Sequence, residues 1–257
     1  MKQSERRRFL IQYLLEEEPE YQNIAIPLSP EEQRQLLRGL LNVRMPKDIG
    51  EEFLRVQDEY LRETAKEKGV VEFSELSPIQ EGIYLWQGDI TRLSVDAIVN
   101  AANSGMTGCY RPNHACIDNC IHTFGGVQMR LACAKIMKKQ GHEEPTGQAK
   151  ITPAYNLPCK YVLHTVGPIV SGSVTEQDEK LLSSCYRSCL QLAVENGLKS
   201  VAFCCISTGV FYFPNRRAAE IAVDTVKGYR EETGNGIEVI FNVFKDVDFE
   251  IYRTLLR

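Results

Sequence analysis

From Ile83 onward, short apolar and β-branched runs alternate with longer stretches whose apolar residues recur at helical spacing. The runs Ile83–Gln87, Ala97–Asn100, Tyr161–Val166, Val201–Ile206 and Val239–Phe244 read as strands. Helices between them are predicted to start near Asn113, Gly125, Asp178 and Asn215, with a last one near Asp248. Continuous apolar runs such as AIVN and VAFCCI suit strands buried on both faces. Such strands, separated by helices, predict a three-layer α/β/α sandwich over residues 77–257.

Residues 1–76 differ in character and predict a helical N-terminal extension. Ser4 to Glu18 carries Phe9, Leu10, Tyr13 and Leu14 at helical spacing. Ser29-Pro30-Glu31-Glu32 is a helix start: an N-cap serine, proline at the first helical position, then acids in the first turn. Leu36, Leu37, Leu40 and Leu41 form its apolar face. A third helix runs from about Gly50 to Lys68, with Phe53, Val56, Tyr60 and Leu61 on one side and Gly69 to end it. Nothing in this segment resembles a catalytic cluster. It reads as a body packed on the main domain, or as a partner-docking surface.

Length and composition narrow the class. A chain of 257 residues can bury a core without disulfides or a structural metal. It lacks any run of about 18 apolar residues, so no membrane-spanning helix is expected. Glu16, Glu17 and Glu18 interrupt the apolar patch near the N-terminus, and no small-residue cleavage site follows, which argues against a signal peptide. A net charge of −4 and no basic stripe argue against nucleic acid as a partner. Nine cysteines, an odd number with Cys204 and Cys205 adjacent, suit no simple disulfide framework and point to a reducing, cytoplasmic setting. Cys133, Cys159, Cys185, Cys189, Cys204 and Cys205 read as core thiols.

In doubly covered α/β sheets, ligands sit outside the carboxyl ends of strands, and four segments there carry unusual chemistry. In QGDIT (87–91), Asp89 can accept a hydrogen bond from an exocyclic amine or cap the next turn. In Asn100-Ala101-Ala102-Asn103-Ser104, the asparagines offer donors and acceptors suited to sugar hydroxyls, or ordinary turn chemistry. In Gly108 to Cys116, the spacing Cys109-x4-His114-x-Cys116 places three borderline or soft ligands within eight residues. Thiolate and imidazole suit zinc, and three protein ligands are the count where a fourth position stays open. Cys120, four residues on, is an alternative fourth, structural ligand. Finally, Ser207-Thr208-Gly209-Val210-Phe211 ahead of a helix can present backbone N–H groups to an anion, without the Walker pattern.

Taken together, these segments resemble the macrodomain family, whose members bind ADP-ribose. The resemblance spans roughly Ile83 to Arg257. It rests on QGDIT (87–91), IVNAANS (98–104), IDNCIHTFGG (117–126), TGQAKITPAYNLPCKYVLHTVGP (146–168) and ISTGVFYFP (206–214). It implies a macrodomain sandwich with a mixed central sheet. Among macrodomains the chain looks most like the hydrolases that remove mono-ADP-ribose from proteins, an activity on a glycosidic bond. The helical extension and the Cys/His loop resemble a zinc-dependent microbial subgroup linked to a sirtuin. That sirtuin modifies a lipoyl-carrier protein like the glycine-cleavage H protein, which is thereby implied as the substrate.

The resemblance also implies roles. Asp89 would recognise adenine, with Ile90 against the base. Asn103 would hold the distal ribose, and Asp118 would be the catalytic carboxylate. Ser207, Thr208, Gly209, Val210 and Phe211 would wrap the diphosphate, and Phe244 would lie near adenine. Two departures stand out. GCYRPNHAC replaces the glycine run of metal-free hydrolases, which supports Zn²⁺ on Cys109, His114 and Cys116, with Cys120 left in the core. Tyr212 stands where many relatives carry glycine. His122 reads as a supporting residue rather than a general base, His164 as a core histidine, and His142 as a solvated loop residue. Arg216 and Arg217 open a helix and read as solvated, within range of a diphosphate. Two other readings compete with the zinc hydrolase. One is a reader that binds ADP-ribose without cleaving it, and the other is a metal-free-type hydrolase stapled by a structural zinc.

Overall fold

The five strands read from the sequence all form in a computed structural model that describes residues Met1–Arg257. In chain order the helices are α1 (Gln3–Glu17), α2 (Pro30–Val43), α3 (Glu51–Lys68), α4 (Ile117–Gly125), α5 (Val127–Gln140), α6 (Glu176–Glu195), α7 (Asn215–Thr233) and α8 (Asp246–Leu255). The strands are β1 (Val71–Glu72), β2 (Pro78–Gln80), β3 (Ile83–Gln87), β4 (Leu93–Ser94), β5 (Ala97–Ala102), β6 (Ala149–Pro153), β7 (Tyr161–Val166), β8 (Ser200–Phe203) and β9 (Glu238–Val243). No helix is long and apolar enough to cross a membrane.

Seven strands form one mixed sheet in the order β2-β3-β9-β8-β5-β7-β6. The centre is parallel, and only the edge strands β2 and β6 run antiparallel to their neighbours. Helices α6, α7 and α8 pack on one face, where Tyr186 of α6 stacks against Phe203 of β8. Helices α4 and α5 cover the other, where Cys133 of α5 reaches His164 of β7. The architecture is therefore the expected macrodomain-type sandwich with flanking helices. Forty-two buried residues make its apolar core. A separate cluster of twelve buried residues holds α1, α2 and α3 together, joined only by Val127 from the start of α5.

Local chemistry explains most boundaries. Ser29 caps α2 with Pro30 behind it, and Leu37, Leu40 and Leu41 are its buried stripe. Gly69 ends α3 at a φ of +83°, a conformation that favours glycine. Thr175 and Asp178 form a reciprocal capping box on α6.

Strand β5 runs two residues past its expected end, to Ala102, and two boundaries differ more. Helix α4 begins at Ile117, not near Asn113, because Asn113 sits in the left-handed region at φ +54° and Cys116 takes the cap. Strand β8 ends at Phe203, not Ile206. It pairs with β5 only at Ala97↔Val201 and Ile98↔Ala202, while β5 continues beside β7 to Ala102. The carboxyl ends of β5 and β8 thus diverge, and a crevice opens at the centre of the sheet, where parallel α/β folds place ligands.

Candidate functional site

Strand β5 delivers two asparagines to this crevice. The parallel register sets Asn100 beside His164 of β7. The fully buried Asn100 amide donates both to Asp118 Oδ1 at 2.8 Å and to His164 Nδ1 at 3.1 Å. His164 then has its proton on Nε2, 2.9 Å from Thr152 Oγ1. Asn103, just past β5, donates to Asp118 Oδ2 at 3.1 Å and to the Gly108 carbonyl at 3.1 Å. Its Oδ1 accepts from Gly105 N at 3.0 Å, leaving one lone pair.

Asp118 lies in the first turn of α4 and is 5% exposed. Burial raises its pKa to about 6, against the opposing pull of the Asn100 bond, the Arg130 charge and the Asn103 bond. A carboxylate so poised changes protonation state close to neutral pH. His122, one turn on, is buried and held well below the ordinary imidazole range by burial, so it is neutral. Its Nε2 stands 3.6 Å from Asp118 Oδ1, beyond hydrogen-bond reach. His122, Cys133 and His164 cluster in the interior; both His164 nitrogens are already paired, whereas the two buried His122 nitrogens have no hydrogen-bond partner.

The loop between β5 and α4 brings Cys109, His114 and Cys116 together, their ligand atoms all within 4.8 Å of one another. Cys109 Sγ lies 3.6 Å from His114 Nδ1. A tetrahedral zinc with ordinary bond lengths spaces its sulfur and nitrogen ligands roughly 3.5–3.8 Å apart, so the three residues fit the ion. Burial pushes the Cys116 thiol up to about 12. A cation at this point would reverse that preference, because a coordinated thiol is deprotonated. Cys120 stands outside the cluster, its Sγ 3.5 Å from Arg38 Nη2. The loop enters through Gly108, at φ +87°, where a Cβ would come within 2.7 Å of the His122 ring.

Residues 207–211 line the other wall. Ser207 is buried at φ +65°, and its loop closes through Phe213 N to Ser207 O at 3.0 Å and Tyr212 N to Gly209 O at 3.2 Å. The backbone N–H groups of Gly209, Val210 and Phe211 donate to no protein acceptor. A Cβ added at Gly209 would meet nothing within 4 Å, so protein packing does not require glycine there. Tyr212 adopts φ +58° with its ring exposed, the conformation that a glycine there would reach without strain.

At the far end, Asp89 Oδ1 accepts from Thr91 N at 3.0 Å and Thr91 Oγ1 at 2.7 Å, so it does cap the next turn. Asp89 Oδ2 lies 3.9 Å from Lys68 Nζ. Ile90 is buried beneath it. Pairing of Gln87 with Val243 sets the exposed Phe244 beside Gly88. Arg216 and Arg217 turn to surface carboxylates, Arg217 pairing with Glu179 and Glu220 and Arg216 with Glu220. His142 is exposed, as expected.

Several participants escaped the sequence reading. Lys68, at the end of α3, lies 3.2 Å over the Phe124 ring, and burial lowers its pKa. Asn119 is fully buried and donates to the carbonyls of Cys109 at 3.3 Å and Arg111 at 3.0 Å. Arg38 and Asn42 reach the loop from α2. The only signal for the last two was their four-residue spacing on a helix read for its apolar face alone.

Comparison with known proteins finds similar chains. The family model described as Macro domain matches residues 99–222. A protein-ADP-ribose hydrolase of Treponema medium is 58% identical over all of both chains. The protein-ADP-ribose hydrolase of Staphylococcus aureus strain MSSA476 is 49% identical over 96% of this chain and 94% of its own. Among solved structures, the Trypanosoma brucei macrodomain in complex with ADP-ribose superposes with a TM-score of 0.67 at 29% identity, covering 89% of this chain and 96% of its own.

Proposed function

The chain belongs to the macrodomain family, and from that membership we propose that it is a zinc-dependent protein-ADP-ribosyl hydrolase, which removes mono-ADP-ribose from modified protein side chains. The observation that carries the reading is a buried, near-neutral carboxylate, Asp118, tied to Asn103 and standing two residues from a Cys109/His114/Cys116 cluster. End-to-end likeness to protein-ADP-ribose hydrolases supports it further.

Hydrolysis at the anomeric carbon passes through an oxocarbenium-like state, so the site must hold the ribose, place a nucleophile and receive a proton. Asp118 is ionised above about pH 6 and retains lone pairs beyond those engaged by Asn100 and Asn103. It orients the attacking water or a ribose hydroxyl and accepts its proton. The Oδ1 of Asn103 offers its remaining lone pair to a ribose hydroxyl. Gly209, Val210 and Phe211 give their backbone N–H groups to the diphosphate, which lets an acidic protein bind an anion. Asp89 Oδ2 accepts from the adenine amine, with Ile90 and Phe244 beside the base. Zinc held by Cys109, His114 and Cys116 would supply Lewis acidity at the ribose or lower the pKa of a bound water.

The nine cysteines are all free, which suits a reducing cytoplasm as the place of reaction. A lipoyl carrier modified by a linked sirtuin is the protein substrate proposed.

The test is release of ADP-ribose from a mono-ADP-ribosylated carrier by zinc-loaded, chelator-stripped and zinc-restored protein. Loss and recovery of turnover is expected, with Cys109→Ala and Cys116→Ala inactive but still binding ADP-ribose. Equal turnover in all three states would overturn the zinc mechanism. Absence of turnover on aspartate-, glutamate- and serine-linked substrates alike would favour a reader.

A further inference from the structure

The loop from Gly108 to Cys116 forms no regular secondary structure, so side chains must hold its three ligands in place. Holding a loop costs conformational entropy, and a site ordered before the ion arrives binds it more tightly. Asn103 and Asn119 hold its first half from within the sandwich, and the contacts on either side of His114 come from outside it. Arg38 Nη2 on α2 donates to the carbonyl of His114 at 2.9 Å and to Asn119 Oδ1 at 3.1 Å. Asn119 in turn holds the carbonyl of Cys109. One turn along α2, the buried Asn42 accepts from Asn113 N at 2.9 Å and donates to Thr123 Oγ1 at 2.7 Å. The first of these bonds secures the one left-handed residue of the loop other than glycine, at φ +54°. The backbone on both sides of His114 is therefore gripped by a single helix face.

We infer that Arg38 and Asn42 are positioning residues for the Cys109/His114/Cys116 centre, so that the N-terminal extension sets its metal affinity. The inference rests on the zinc reading of that cluster. Residues that orient ligands typically change metal affinity about 10–100-fold when removed. Because one nitrogen of Arg38 makes both bonds, a lysine can replace its donors more nearly than at a forked site.

The experiment is zinc affinity of the full chain by competition with a chromogenic chelator, with ADP-ribose affinity by calorimetry and folding by circular dichroism. Arg38→Ala and Asn42→Ala are expected to bind zinc about 10–100-fold more weakly, with ADP-ribose affinity within about 3-fold of wild type. Arg38→Lys should recover most of the loss, and excess zinc should restore kcat in the alanine variants, which a merely structural defect would not allow. Arg34→Ala, on the exposed side of α2, is the control. If Arg38→Ala fails to fold, Arg38→Lys and Asn42→Asp carry the comparison, with Asn42→Asp intermediate because it keeps the acceptor and loses the donor. Wild-type protein that binds no zinc through Cys109 and Cys116 would overturn the zinc reading itself. Zinc-binding wild type with both alanine variants within about 3-fold of it would overturn the positioning role alone.

Discussion

Three buried groups, Asp118 and the two histidines near it, link the protonation state of the site to stability. Burial pushes His164 down to about 3 and holds His122 well below its ordinary range. Each imidazole contributes stability that is complete above its ordinary value, about 6.5, and is lost as pH falls toward the folded value. Asp118 acts in the opposite sense. Raised to about 6, it contributes stability below its ordinary value near 4 that is lost as pH rises through 6. Between about pH 4 and 6, unfolding of metal-free protein takes up two protons on the imidazoles and releases one from Asp118. The imidazoles outweigh the carboxylate, so stability should rise with pH across this window. Asp118→Asn removes the opposing release and should steepen the rise. Urea midpoints across that window measure it, and an unchanged slope would mean that Asp118 titrates as an ordinary carboxylate. The individual residues were legible in the sequence as chemistry. Their coupling was not, because Asn100 and His164 meet only through strand register.

At the level of elements, the site depends on how β8 leaves the sheet. Gly167, just past β7, lets Ser207 approach, since a Cβ there would lie 2.1 Å from Ser207 Oγ and 2.8 Å from Ile206 Cγ2. Gly167→Ala should displace the start of the 207–211 loop and weaken ADP-ribose binding by about 10-fold or more, the loss of one or two hydrogen bonds to a charged group. Gly209→Val probes the same loop from the other side. Its side chain points into open space, so the fold should persist while the diphosphate is blocked. Calorimetry with ADP-ribose, beside thermal melts, separates the two effects. Wild-type affinity in Gly209→Val would remove the diphosphate from this loop. The capped start of α2 and the glycine end of α3 were readable because they involve neighbours along the chain. The ends of β8 and the start of α4 were not, being set by a diverging partner strand and by Asn42.

Across the whole molecule, two apolar clusters are tied by polar bonds. Arg130 of α5 donates to the carbonyls of Leu41, Asn42 and Arg44. Gln57 of α3 accepts from Val127 N, and Asp58 accepts from Asn156. These ties and the shared Val127 should make the extension and the sandwich unfold together. Phe53 is fully buried among α1–α3, and Phe53→Ala should cost about 3–5 kcal/mol. The only tryptophan, Trp86, lies in β3 and reports on the sheet, whereas far-ultraviolet circular dichroism weighs all helices. Coincident transitions by the two probes, both shifted in the variant, are expected. A Trp86 transition unmoved by Phe53→Ala would show that the extension unfolds alone.

The alternation of apolar strands with helices, the helix caps, the Cys-x4-His-x-Cys spacing and the order of the loop motifs are properties of the sequence by itself. Each is written within a few residues, where periodicity and neighbouring side chains decide the outcome. The edge strands β2 and β6 carried weaker signals, because one-sided burial leaves their residues mixed in polarity. Only the tertiary structure decided that β5 and β8 part to form a crevice, that Asn100 bridges Asp118 and His164, and that α2 grips the Cys109–Cys116 loop. Those outcomes rest on pairings between residues distant in the chain, such as Asn100 with His164, 64 positions apart, and Arg38 with His114, 76 apart. No local pattern specifies such a pairing; it forms because burying both clusters brings the partners together.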